Sequence, residues 1–388
     1  MKRPLLLAVA IAVVAAPGAS AQSLFSGATL GMPHDALDAR SRALGSVGVG
    51  LWGGSLLPGD PAAAADLVVP TAIFSAQPSW VDFRRDDTGE TATFQGTRFP
   101  LVGIAYPAWK LGMATFTVGS FLDQRFEARR ETTAELEDGP VPTTDRFRSR
   151  GGVSEIRLGL ARFVTPTLRV ALAVGRYNGS VVRQEARSLD SLNVEGSVRE
   201  YRAGGRWSYS GTSVTAGAAL TVGTVLRLAG SATLSGDLKA EASSDTKGED
   251  RTYDLPLRIQ MGGTAVLAPG LSLSASVSTA DWQGTVGDTP GAGRDVNYGV
   301  GIELGRARLL GREAPLRIGY RKSDLPFGLE GGRPTEKVFT GGLGLSLSKS
   351  NSLTLASLDV ALERGKRTEG PITEKFWRST LTVRVSGF

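Results

Sequence analysis

Leu381-Thr382-Val383-Arg384-Val385-Ser386-Gly387-Phe388 ends the chain on an alternation, apolar at 381, 383 and 385 and polar at 380, 382, 384 and 386. Period-2 alternation with one polar set marks a strand whose two faces meet different surroundings. The pattern recurs upstream. Leu168, Val170, Leu172 and Val174 alternate with Arg169, Ala171, Ala173 and Gly175. Val214 to Val222 alternates with Thr215, Gly217, Ala219 and Thr221, and Leu271, Leu273, Ala275 and Val277 alternate with four serines. Val296, Tyr298, Val300, Ile302 and Leu304 alternate with Asn297, Gly299, Gly301, Glu303 and Gly305. Soluble sandwiches share such alternation. The number and length of these segments favour a barrel whose outer face meets lipid.

The amino terminus agrees. Lys2 and Arg3 precede an apolar run from Leu5 to Ala16 and then Ala19-Ser20-Ala21. That is a charged region, an apolar run too short to span a bilayer and a small-residue cleavage site. Residues 1–21 therefore read as a signal peptide, with the mature chain starting at Gln22. No later apolar run reaches about 18 residues, so no transmembrane helix is expected after it.

Composition narrows the chemistry. The chain has no Cys and a single His, which removes disulfides, thiolate sites and nearly all His-based metal sites and triads. His34 precedes the barrel and reads as a polar residue of the amino-terminal segment, not as the base of a Ser-His pair. Glu135, Glu137 and Asp138 read as solvated loop. Asp245, Glu249 and Asp250 lack the Gly-spaced oxygen cage of a Ca²⁺ loop. No catalytic residue, metal or cofactor is expected, and the chain does not read as an enzyme. The net charge is +6, two units of it from Lys2 and Arg3. No basic-aromatic patch argues for nucleic acid.

The connections come in two kinds. Tight turns are expected at Trp109-Lys110, Thr165 to Thr167, Gly223-Thr224, Pro269-Gly270, Gly311-Arg312 and Ser350-Asn351. Between them lie long charged connections at 127–145, 183–202, 238–251, 324–337 and 364–374. Short turns on one side and long loops on the other are the habit of outer-membrane barrels. Six tight turns give about 14 antiparallel strands over residues 71–388. They are placed near 71–84, 91–108, 111–130, 145–164, 168–185, 200–222, 225–242, 250–267, 271–285, 294–309, 315–323, 336–348, 352–364 and 372–387. A phase slip in the strand from Leu353 predicts a bulge near Ala356-Ser357. Tyr106 and Trp109 are expected at the turn-side rim, with Trp207, Tyr209, Trp282, Phe376 and Trp377 at the opposite rim.

Inside such a barrel the polar set faces the lumen. That places Glu155, Arg157, Arg169, Arg258, Glu303, Arg317, Arg321 and Arg384 inward, as a salt-bridge network or as substrate-selecting charges. Residues 22–70 do not read as barrel. They carry Arg42-Ala43-Leu44-Gly45, Val47-Gly48-Val49-Gly50 and Asp60-Pro61-Ala62. A lumen of this size is too wide for side chains alone to fill, so the segment is expected to be a plug, with Arg42 and Asp60 meeting lumen charges.

Phe388 as a terminal aromatic resembles the carboxy-terminal assembly signal of bacterial outer-membrane barrels. It is out of phase with 381, 383 and 385, and Gly387 could host a bulge that restores the phase. The Arg42 to Gly50 stretch, Asp60-Pro61-Ala62, the strand carrying Trp80-Val81-Asp82-Phe83 and the strand count together resemble the long-chain fatty-acid transporter (FadL-like) family. That family has Asn-Pro-Ala where this chain has Asp60-Pro61-Ala62. The resemblance implies an amino-terminal hatch inside a 14-stranded barrel and passage of hydrophobic molecules through the hatch and a lateral gap in the wall. The expectation is an outer-membrane channel for passive uptake of hydrophobic or amphipathic small molecules. The alternatives are a non-transporting scaffold or secretion accessory and, third, a general porin. Expected partners are outer-membrane lipids and lipopolysaccharide, the barrel-assembly machinery and a hydrophobic ligand.

Overall fold

Thr71 pairs with Ser386, and that pairing joins the first long strand to the last and closes the sheet. The computed structural model describes residues 23–136, 139–189, 201–246, 248–285, 292–309, 311–350 and 353–388; the signal-peptide reading and Glu137 and Asp138 lie outside them. Fourteen antiparallel strands form the wall: β1 (Thr71–Arg85), β2 (Thr91–Pro107), β3 (Met113–Asp123, continued by Phe126–Leu136), β4 (Gly139–Phe163), β5 (Leu168–Leu189), β6 (Tyr201–Val222), β7 (Leu226–Ser235, continued by Leu238–Ala242), β8 (Arg251–Tyr253, continued by Arg258–Ala268), β9 (Leu271–Asp281), β10 (Arg294–Leu304), β11 (Leu316–Asp324), β12 (Thr335–Ser350), β13 (Leu353–Glu369) and β14 (Ile372–Ser386).

Closure answers the backbone problem of a wall in hydrocarbon, where an unpaired edge has no water to bond. Alternation then sorts the side chains. On β5, Ala171, Ala173, Tyr177 and Val181 are buried, whereas Leu172 and Val174 are more than half exposed. On β12 the outward set Phe339, Gly341, Leu343, Leu345 and Leu347 lies between Lys337 and Lys349. Twelve residues at about 3.3 Å and a tilt of about 40° give about 30 Å of height, enough for an apolar band of about 25 Å.

Several boundaries differ from the expected ones for local reasons. Within the stretch 127–145, read as a loop from its charge, residues 127–136 and 139–145 instead continue β3 and β4 as paired strands, with Arg129 opposite Arg146 and Glu135 opposite Pro140. Polar faces on both sides hide such a ladder from a hydropathy reading. Strand β10 stops at Leu304, and a small hairpin of Arg308–Leu309 with Arg312–Glu313 forms the turn. The slip in β13 is real but sits at Leu355, where Ala356 and Thr354 pair with Ser348 and Lys349. Gly387 takes a left-handed conformation (φ 75°), and β14 ends before it.

The rims differ as well. Tyr106 and Trp109 are exposed at the turn side, and Trp377 and Trp80 are exposed near the other end. Tyr209, Trp282 and Phe376 are instead buried inside the barrel. Tyr209 and Phe376 have the inward phase of their strands, Phe376 being next to the outward Trp377.

Candidate functional site

Residues 23–70 run through the lumen. Their grip on the wall begins with Asp66, at the end of a 3₁₀ helix over Pro61–Asp66. Its carboxylate takes the Arg169 guanidinium at 2.7 Å and that of Arg227 at 2.5 Å. Arg157 donates to the Pro58 carbonyl at 2.6 Å and pairs with Glu155 at 2.8 Å. Among the described residues Asp60 forms no ion pair with a lumen charge, contrary to expectation. It caps the helix, accepting from the amides of Gly50 (2.8 Å) and Ala63 (3.2 Å). Pro61 stands at the helix start, where its missing N–H costs nothing. Burial pushes the Asp60 carboxyl up, against these two amides and Arg227.

One turn of helix, α1 (Ala39–Ala43), follows the same capping logic, with Asp38 accepting from the Ser41 amide at 2.8 Å. Arg40 and Arg317 share Glu303 at 2.9 and 2.6 Å, and Arg317 also reaches Asp359 at 2.5 Å. Arg384 lies 3.8 Å from Asp38. Gly45, with φ 74°, turns the chain where a side chain would strike the Tyr320 and Val300 carbonyls. The wall answers with Gly299, Gly301 and Gly319, whose missing side chains leave room for the Leu44-Gly45 backbone. Gly48 lies against Leu37.

Farther along lies a denser charge network. Arg42 and Arg321 face Glu363 at 4.0 and 3.7 Å, Arg378 faces it at 3.6 Å, and Arg321 and Arg367 both hold Glu336. Arg258 binds Asp35. Arg367 binds Glu374 at 2.8 Å, which also accepts from the Ser23 hydroxyl and the Leu24 amide. His34 sits between Arg98, 3.1 Å from Nδ1, and Arg42, 3.5 Å from Nε2. It belongs to the luminal segment, and burial holds its pKa well below 6.5, helped by Arg98 and Arg42. The cavity beside it is about 40 Å³, room for a water or two.

Near the end opposite the tight turns the lumen turns apolar. Phe121 stacks on Tyr177 (centroids 4.4 Å apart) and lies 6.3 Å from Trp282, which meets Phe327 edge-on at 5.3 Å. Leu30 of the luminal segment is fully buried in this cluster.

Beside this cluster β2 and β3 part. The ladder between β2 and β3 runs from Pro107↔Met113 only to Leu101↔Gly119 among the described residues. Beyond it, Pro100 lacks an N–H, and β3 breaks between Asp123 and Phe126. Arg125 spans the seam, bidentate on Asp123 and donating to the Thr97 carbonyl at 2.9 Å. On the edge of β3 that β2 leaves, Met32 and Pro33 pair with Asp123 and Leu122, and the His34 amide donates to the Phe121 carbonyl at 2.7 Å. The alternation does not reveal this seam; an interior Pro100 is its one trace in the sequence.

This architecture is that of known channels. The chain is similar to the structure of a Pseudomonas aeruginosa FadL homologue (13% identity, TM-score 0.61, 91% of this chain and 99% of that one). It is similar to the P. putida toluene transporter TodX (12%, 0.59, 92% and 99%) and to the CymD monoaromatic hydrocarbon channel (12%, 0.54, 95% and 99%). No protein-family model and no curated protein sequence matches it. At these identities the likeness is one of fold, and the fold is FadL-like.

Proposed function

From this FadL-like fold we propose that the chain is an outer-membrane conduit for passive movement of hydrophobic or amphipathic small molecules. Residues 23–70 serve as its plug, and the β2–β3 seam is the lateral outlet. The carrying observation is that seam. It starts partway up the wall, at Leu101↔Gly119, and adjoins the buried aromatic cluster through Phe121 and Leu122. A molecule held by the aromatics would leave sideways into the bilayer and avoid the charged core, where burial of apolar matter gains nothing. The similar solved structures include a toluene transporter and a hydrocarbon channel, which supports the same substrate class. The side chains described act by binding and packing, with no covalent step.

The test uses the chain's lack of cysteine. Thr97→Cys and Arg125→Cys, joined by a short bis-maleimide, should stop uptake of a monoaromatic hydrocarbon into cells while the barrel stays heat-modifiable on gels. Undiminished uptake through the stapled seam sinks the lateral outlet.

A non-transporting scaffold is favoured by one observation. The small spaces beside residues 32–49 and 55–64 of the luminal segment are about 40, 20 and 20 Å³, far too small for a hydrocarbon ligand. Replacing residues 36–66 with a short Gly-Ser linker separates the readings. Raised conductance in planar bilayers with uptake altered supports the conduit; a folded barrel with neither changed supports the scaffold.

A further inference from the structure

Lys322 of β11, Lys337 of β12, Lys366 of β13 and Lys375 of β14 are direct cross-strand partners in one unbroken row. All four are exposed, on the outward face. Neighbouring strands are about 4.8 Å apart, so the row packs four ammonium groups along about 15 Å of wall. Like charges directly opposite one another destabilise a sheet. Among the described residues no carboxylate lies within the 4 Å of an ion pair from any of them. Asp82, which follows Lys375 in the row, accepts instead from the Thr93 hydroxyl. The contrast with Lys349, at the other end of β12, is direct: it has Glu313 at 2.5 Å.

The row has a definite depth. Two residues nearer the turn side, the outward positions are Tyr320, Phe339, Arg364, Trp377 and Trp80. Tyr320 and Phe339 lie 5.1 Å apart, and the Arg364 guanidinium sits 5.0 Å from the Trp377 ring. Aromatic rings mark where hydrocarbon meets headgroups. The lysines therefore emerge at headgroup level, beside the acyl chains that the apolar band requires.

We infer that this row is a binding site for a phosphorylated glycolipid headgroup of the surrounding leaflet, its acyl chains lying on β11–β14 below and its phosphates held by the four lysines and Arg364. Lipid phosphate supplies the missing counter-charge, and each lysine near such a surface contributes attraction of its own. The inference rests on the membrane reading above but not on transport, since no residue of the row touches the lumen.

The experiment titrates the purified full-length barrel in detergent with diphosphoryl lipid A and reads retained lipid by native mass spectrometry. Wild type should retain it in preference to phosphatidylcholine. K322Q/K337Q/K366Q/K375Q should weaken retention at least about tenfold while remaining heat-modifiable, and Lys349→Gln should change nothing. Without lipid A the quadruple variant should melt higher than wild type, because the repulsion is gone. Equal retention by the quadruple variant, equal retention of phosphatidylcholine, or displacement by inorganic phosphate would each overturn the site. So would loss of a dimer in the variant, which would make the occupant a second copy. Failure of the wild type to enter liposomes removes the leaflet itself and sinks the membrane reading too; failed uptake alone leaves this site standing.

Discussion

Arg125, in the break of β3, holds the Thr97 carbonyl of β2 at 2.9 Å, across a seam where the two strands share no ladder. Asp123 fixes the guanidinium from the other side at 2.9–3.0 Å. Residues 32–34 take over the freed backbone edge of β3, so this side chain is the tie to the β2 side, and at a lateral outlet it would act as a latch.

Arg125→Ala should therefore loosen the seam. Losing a charge-assisted bond of roughly 1.5–3 kcal/mol shifts its open population by about tenfold or more. Uptake of a monoaromatic probe should rise, and amide exchange at Thr97 and Phe99 should quicken. Unchanged exchange would show that the seam is held by something else.

Gly319→Val should dislodge the luminal segment. The new side chain would enter the space of the Leu44-Gly45 backbone, and such overpacking costs about 1–3 kcal/mol. Protease cutting within residues 40–50 should increase several-fold while the wall stays intact. A resistant segment would mean that β11 yields instead.

Acidification should act through His34. Its folded pKa lies below its unfolded value near 6.5, so below pH 6.5 the unfolded segment binds a proton that the packed one refuses. Stability is full above pH 6.5 and falls as pH drops toward the folded pKa. Amide protection at residues 34–37, corrected for the intrinsic slowing of exchange at lower pH, should fall across that window, and His34→Gln should flatten the dependence. An identical slope in the variant would assign it to other groups.

Deleting Phe388 should lower the yield of inserted barrel without lowering the melting temperature of what inserts. Phe388 is mostly exposed and follows the end of β14, so it contributes little packing. A normal yield would mean that assembly does not read this residue.

The wall was legible because lipid and lumen impose opposite demands on alternate residues, and that contrast survives in single strands such as Leu168 to Val174. Where both faces are polar, as in 127–136 and 139–145, the contrast vanishes and the sequence does not show the ladder. The luminal charges Arg169 and Glu303 could be given a face from their phase, but their partners Asp66 and Arg40 come from a segment with no period at all. Asp60 shows the same limit. Its charge suggested a lumen partner, whereas its position before Pro61 made it a cap. Tyr209 and Phe376 were misplaced at the rim although their phase pointed inward.

The hydrogen bond from Gly387 to the Pro70 carbonyl has a consequence for biogenesis. The last strand seals the cylinder beside the point where the luminal thread leaves it. The thread, synthesised first, bears buried arginine and carboxylate pairs along its course up to Ser23. Drawing these charges through a finished ring would strip them of water before their partners were in reach. Sealing around a thread already in place avoids that barrier. A thread that acts as the proposed plug would then be a mandrel too, and a lesion in it should surface first as a shortage of mature protein.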